Sequence, residues 1–139
     1  MRLRPACLLY TIALLLCGLS PSFGGEKFSR VVIDPGHGGI DPGSSAFGMV
    51  EKELTLDLAR RLERILSSHG LTTELTRRTD KYVELSERAE KANAKPGTIF
   101  VSVHFNAHTD RSISGTETLY WPGSAAAREM ASYVQSGLG

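Results

Sequence analysis

The sequence predicts an α/β fold: a single layered domain with a mixed, partly parallel sheet flanked by helices. Three observations carry that prediction. Strand-like and helix-like periodicities take turns along the chain, the pattern that βαβ crossovers impose. The run TIFVSVH (98–104) is apolar and β-branched almost throughout, as a strand buried on both faces is. A chain of 139 residues, 41% apolar and 22% charged, suits one hydrophobic core and makes a second improbable.

The elements follow in order. Arg2 and Arg4 precede an apolar run from Ala6 to Leu19, and Ser22 and Gly24 place small residues at the −3 and −1 positions of a cut before Gly25. That run is shorter than the roughly 20 residues a spanning helix needs. Residues 1–24 therefore read as a secretory signal peptide and 25–139 as the exported domain, with no permanent membrane span after cleavage and a destination in the periplasm, cell wall or medium. Cys17 is preceded by Leu16 where a lipidation site wants a small residue, so no lipid anchor is expected.

FSRVVID (28–34) is a short β-branched run stopped by Pro35 and Gly36, a buried strand. The stretch Pro35 to Gly48 is too rich in glycine and proline for a regular element and forms a long loop at the sheet edge. Leu54, Leu58, Leu62, Ile65 and Leu66 then recur at helical spacing, with Glu51, Glu53 and Asp57 near the start and Gly70 past the end. Leu71 to Thr76 alternates as a second strand. Tyr82 to Ala94 reads as a second helix with Val83, Leu85, Ala89 and Ala92 on its buried face. TIFVSVH is expected at the centre of the sheet, Thr116 to Trp121 as a fourth strand with Tyr120 and Trp121 facing the core, and Ala125 to Gln135 as the last helix.

Charge and cysteine content exclude several functions. Sixteen basic and fifteen acidic residues give +1, and loss of Arg2 and Arg4 with the leader gives −1, so no basic excess marks a nucleic-acid partner. Both cysteines fall in the first 24 residues, so the exported domain has no disulfide, thiol nucleophile or cysteine zinc site. Gly36-x-Gly38 starts a dinucleotide fingerprint, but Asp41 stands where the third glycine belongs and no G-x4-GK[ST] occurs.

Three protonatable groups stand where such a scaffold displays them. His37 follows the first strand, Glu51 opens the first long helix, and His104 ends the TIFVSVH strand. Two imidazoles and a carboxylate are the His2Glu set of catalytic zinc sites, which leaves one position open. Parallel strands end at one sheet edge, and a helix N-terminus after a loop returns there, so the three can converge. Each has a plainer reading: a loop hydrogen bond for His37, a helix-start acid for Glu51, a strand-end residue for His104. His69 suits the helix dipole. His104-x3-His108 spans about 13 Å in extended chain, too far for two ligands of one ion.

The runs DPGHGGIDPGSSAFGMVEKELTLDLARRL, TRRTDKYVELSERAEKAN, IFVSVHFNA and GTETLYW, in this order from about Val31 to Trp121, resemble the zinc-dependent N-acetylmuramoyl-L-alanine amidases of bacterial cell-wall turnover, the amidase type 3 family. The resemblance implies that His37, Glu51 and His104 bind Zn2+. It implies that Arg78, Asp80, Leu85, Arg88 and Asn93 pack and brace the loop, and that the substrate is the peptidoglycan amide between N-acetylmuramic acid and L-alanine. The family's general-base glutamate lies in a segment resembling P-A-V-L-V-E-x-G-F, expected beyond Gly139, with the last strand and helix of the family fold; neither Glu117 nor Glu129 matches it. The expectation is a peptidoglycan amidase domain incomplete at its C-terminus, the alternative a catalytically inactive zinc-binding cell-wall module.

Overall fold

The protein is described by a computed structural model over residues 22–23, 26–108, 110 and 112–138. Along these residues run β1 (Ser22–Phe23), β2 (Glu26–Lys27), β3 (Arg30–Pro35), β4 (Ser45–Ala46), β5 (Met49–Val50), α1 (Glu51–Ser68), β6 (Thr72–Leu75), α2 (Leu85–Asn93), β7 (Thr98–Val103) and α3 (Ala125–Leu138). The expected leader, residues 1–24, lies outside the described residues apart from Ser22 and Phe23.

Three strands form the sheet in the order β6-β3-β7, every pairing parallel. Among the described residues, antiparallel pairing forms two ladders of two residues each, β1 with β2 and β4 with β5, and a single bridge between Gly38 and Asp41. The layered α/β expectation holds, but the strand order differs from the reading of TIFVSVH as the central strand. The centre is β3, with Ile33 opposite Leu75 on one side and Val101 on the other, and β7 pairs on one side alone among the described residues. Hydropathy pointed the wrong way because Phe100 is left exposed on β7 while Val31, Val32 and Ile33 of β3 are fully buried.

Alternate residues of β3 face opposite layers. Val31 and Ile33 meet Ala59, Leu62 and Leu66 of α1 and Leu75 of β6, which together make the core. The buried stripe of α1 is Glu51, Thr55, Ala59, Leu62 and Leu66, and Ile65 is exposed instead of buried. Two tethers rotate the helix from the leucine face the periodicity suggests. Thr55 donates its hydroxyl to the Gly36 carbonyl at 2.9 Å, and Glu51 is held from the loop, so small residues rather than Leu54 and Leu58 approach the sheet. The helix ends at His69, whose ring nitrogen lies 2.8 Å from the Ile65 carbonyl, and Gly70 follows at φ +84°, the left-handed closing residue. His69 thus serves the helix end, as its position suggested.

The second layer is mostly polar. Helix α2 begins at Leu85, three residues later than expected; Val83 is buried ahead of it, and Leu85 is 81% exposed. Its one buried residue is Arg88, whose guanidinium reaches Asp34 Oδ1 at 2.6 Å. Asp34 also accepts from Thr76 Oγ1 at 2.6 Å and Ser102 Oγ at 2.8 Å, so this buried carboxylate ties all three strands to α2. The expected strand Thr116–Trp121 has no ladder, and Trp121 is 77% exposed with Tyr120 exposed beside it, so neither is core. The edge of β7 that such a strand would need carries no partner among the described residues. The last helix forms where expected and runs three residues further, with the Ser124 hydroxyl accepting from the Ala127 N–H at 3.1 Å.

Arg88→Met removes one half of a buried ion pair and strands Asp34 in the interior, and it is expected to destabilise the domain by about 3–5 kcal/mol. Urea unfolding checks this; a loss under about 1 kcal/mol, the worth of an exposed pair, would show that Asp34 does not depend on Arg88.

Candidate metal centre

The site begins where β3 and β7 end side by side. Pro35 is paired with Val103, and the Gly36 N–H donates to the Val103 carbonyl at 3.0 Å, one step beyond the ladder. His104 is the next residue on β7 and His37 the second after β3. That last bond lays the His104 ring against Gly36, where a Cβ would sit 2.3–2.7 Å from three ring atoms. Glycine is required there by space alone.

Two buried arginines shape the loop that carries His37. Arg77 donates from Nε to the Pro35 carbonyl at 3.1 Å and from Nη2 to the Gly36 carbonyl at 2.8 Å. Arg88 donates to the carbonyls of Pro35 and His37, each at 2.9 Å. Three successive carbonyls are therefore held from behind by guanidinium groups. Further along, Asp80 accepts from the Gly39 N–H at 2.7 Å and Lys52 Nζ at 2.7 Å, while Lys52 donates to the Gly39 carbonyl. The bracing expected of Asp80 and Arg88 is present. That expected of Arg78 is not: Arg78 lies outside with Glu63, and its neighbour Arg77 does the work. Leu85 and Asn93 are exposed and brace nothing in the loop.

So held, His37 adopts φ +61°, a conformation uncommon for any residue with a side chain, and its ring turns back towards α1. Glu51 is the first residue of α1, where the helix dipole favours a carboxylate. Its Oε2 accepts from the Ser44 N–H at 2.8 Å and its Oε1 from the Phe105 N–H at 2.9 Å. Burial would raise the Glu51 carboxyl, but these donors outweigh it and hold the group below its ordinary value, ionised at neutral pH.

The three side chains meet. His37 Nε2 lies 3.1 Å from Glu51 Oε1, His104 Nδ1 lies 3.1 Å from the same oxygen, and the two ring nitrogens are 3.2 Å apart, the rings meeting edge to face. A tetrahedral zinc with bonds of about 2.0–2.1 Å separates its ligand atoms by about 3.3 Å, so the triangle matches one face of such a centre. Three atoms rich in lone pairs facing one another at this spacing could hold one metal ion, and the donor set fits zinc. His37 and His104 open onto a hollow of about 620 Å³ whose farther walls include Tyr82, Leu85 and Phe100. His108 does not join the group; its ring accepts from the Asp110 N–H.

Asp41 is the functional neighbour that motif reading overlooked. Its Oδ2 lies 2.9 Å from His37 Nδ1, the nitrogen turned away from the triangle. The hydrogen bond from His37 and that from the Gly43 N–H hold the Asp41 carboxyl below its ordinary value. A carboxylate four residues after a histidine in a glycine-rich loop was the available signal.

The chain is similar to known proteins in both sequence and backbone. Residues 31–139 match the family described as N-acetylmuramoyl-L-alanine amidase (Amidase_3). The chain is 40% identical over 90 residues to the N-acetylmuramoyl-L-alanine amidase LytC of Bacillus subtilis strain 168, covering 65% of this chain and 18% of that protein. It is 35% identical over 112 residues to AmiA of Escherichia coli K12, covering 80% of this chain and 38% of that one. Among solved structures, the N-acetylmuramoyl-L-alanine amidase of Clostridium difficile 630 superposes with a TM-score of 0.72 at 34% identity, over 78% of this chain and 61% of that one. The catalytic domain of CwlV from Bacillus (Paenibacillus) polymyxa var. colistinus gives 0.63 at 36% identity, over 67% and 54%. The chain thus spans less than two fifths of the length of either of these two curated relatives. Sharing both sequence and backbone with proteins of one description, the chain belongs to the N-acetylmuramoyl-L-alanine amidase family.

Proposed function

We propose that the protein is an exported zinc hydrolase that cleaves the peptidoglycan amide between N-acetylmuramic acid and L-alanine, with residues 1–24 as the export signal and 25–139 as the catalytic domain. The observation that carries the proposal is the triangle of His37 Nε2, His104 Nδ1 and Glu51 Oε1, each pair of atoms 3.1–3.2 Å apart. Among the described residues no helix is long and apolar enough to cross a membrane.

His37 and His104 would hold Zn2+ through neutral imidazole nitrogens and Glu51 through its carboxylate, with the side towards the hollow left for substrate. A zinc ion in that position supplies Lewis-acid polarisation of an amide carbonyl and lowers the pKa of water. The chain's own part is to keep these ligands aimed. Ser44 and Phe105 fix both Glu51 oxygens through backbone N–H groups, and Gly36 and Gly43 leave room for the rings. With one oxygen on the metal and the other held by the Ser44 N–H, Glu51 would serve as ligand and not as proton shuttle. Glu51 is also the one carboxylate in the group among the described residues. That observation favours a second reading, a zinc-binding cell-wall module without turnover.

The two readings separate on purified cell walls. The hydrolase releases stem peptides with a free L-alanine amino group, detected by mass spectrometry, and a chelator stops it. The module binds about one zinc per chain and releases nothing. A protein that takes up no zinc would end both.

His37→Ala, Glu51→Ala and His104→Ala are each expected to weaken zinc binding beyond the roughly 10- to 100-fold typical of changes behind the ligands, read by competition with a chelator. Wild-type affinity in all three would remove the ligand assignment. Free zinc at 100 times its Kd should stabilise the folded domain by about 2.7 kcal/mol, seen as a raised urea midpoint that the His104→Ala protein lacks.

Gly36→Ala pushes a methyl group into the His104 ring, and Gly43→Ala, at φ +66°, would place one 2.6 Å from the His37 ring and 2.8 Å from Glu51 Oε2. Each should lower zinc affinity by roughly 10-fold or more, the scale of lost ligand orientation. Isothermal titration calorimetry checks it, with far-ultraviolet circular dichroism to confirm an intact fold.

A further inference from the structure

We propose that Asp41 is the positioning residue of this metal centre: one carboxylate sets both the tautomer and the orientation of His37. The inference rests on the reading of His37, Glu51 and His104 as metal ligands. Its basis is a division of labour between two oxygens. Oδ2 meets His37 Nδ1 at 2.9 Å, and Oδ1 accepts from the Gly43 N–H at 3.1 Å.

An ionised carboxylate only accepts, so Asp41 keeps a proton on Nδ1, and Nε2, the atom that faces Glu51 and His104, is the nitrogen left to offer its lone pair to a metal. The opposite tautomer would turn an N–H into the triangle and block a ligand position. The second oxygen acts on the ring's surroundings. Gly43 lies against the His37 ring, where a Cβ would stand 2.6 Å from Cδ2, so the backbone that Asp41 fastens is the wall on which the ring rests. The main chain of Asp41 is fastened in turn, because Gly38 and Asp41 exchange both N–H to carbonyl bonds, at 2.9 and 3.2 Å. His37 thus stands immediately before a closed turn of residues 38–41, at φ +61°, its ring gripped from residue 41 and its carbonyl from Arg88. Carboxylates behind ligating histidines act in this way, fixing the ring and its tautomer.

The test uses Asp41→Ala and the isosteric Asp41→Asn, each also combined with His37→Ala, with zinc as the probe. The expected result is a 10- to 100-fold rise in the zinc Kd for Asp41→Ala, and no further rise when it is added to His37→Ala, because Asp41 works through that ring. Nitrogen-15 NMR of the zinc-bound protein should show His37 protonated on Nδ1 and bound through Nε2 in the wild type, with the Nδ1 signal shifted in both variants. A merely structural role would lower stability without moving that signal. Unchanged zinc affinity in Asp41→Ala, or an equal loss on the His37→Ala background, overturns the proposal while leaving the metal centre standing. A wild type that binds no zinc overturns the metal reading and this one with it.

Discussion

Two buried guanidinium groups hold the carbonyls of Pro35, Gly36 and His37, and the rest of the site depends on that grip. A chain leaving the end of a parallel strand ordinarily runs on into solvent. Here it turns sharply over the sheet edge with its carbonyls pointing inward, where each would be an unpaired acceptor without a donor. Arginine suits the task because its donors lie in a fixed plane and its charge persists when buried. The arrangement also explains the polar second layer. Asp34 balances Arg88 and accepts from Thr76 and Ser102 as well, and a network tied at this many points defines one loop geometry instead of several.

The same charge accounting bears on metal affinity. Arg77, Arg88, Asp34 and Glu51 are all buried and sum to no net charge. A divalent cation is therefore not met by an uncompensated positive field, although two guanidinium groups stand behind the loop. Glu51 would face such a cation from the N-terminus of an 18-residue helix, with two backbone N–H groups donating to it. Those donors keep it ionised and fix its direction.

Most of the site was legible before any coordinates because its residues are tied to element ends. His37 follows a strand stop, Glu51 a helix start and His104 a strand end, and the geometry of parallel strands carries all three to one edge. What escaped was whatever depends on tertiary partners. Arg77 and Arg78 are chemically equal neighbours, and only the direction of the chain after β6 decides which one enters the interior. TIFVSVH is the more apolar run, yet among the described residues β7 pairs on one side alone, since strand order reflects what flanks a strand. Of the leucine periodicity of α1, Leu62 and Leu66 are buried as it implies, whereas Thr55 and Glu51 are buried for their hydrogen bonds, which no apolar periodicity records. Thr116 to Trp121 is made of residues that strands favour, but such a run becomes a ladder only when an edge accepts it.

Glycine content invited a phosphate-binding reading of the Pro35–Gly48 loop, and the hydrogen bonds show why that reading fails on chemistry as well as on spacing. A phosphate cradle needs backbone N–H groups left free to converge on an anion. Here they are engaged within the protein: Gly36 with Val103, Gly38 with Asp41, Gly39 with Asp80, Gly43 with Asp41 and Ser44 with Glu51. Three of the acceptors are carboxylates, so the loop already holds its anions, and one of them is the proposed metal ligand. Glycine at 36 and 43 serves a different end, giving two imidazole rings room to lie against the backbone. A loop with its donors spent on carboxylates and its glycines spent on ring packing presents lone pairs to the ligand, which is the polarity a cation requires and an anion would reject.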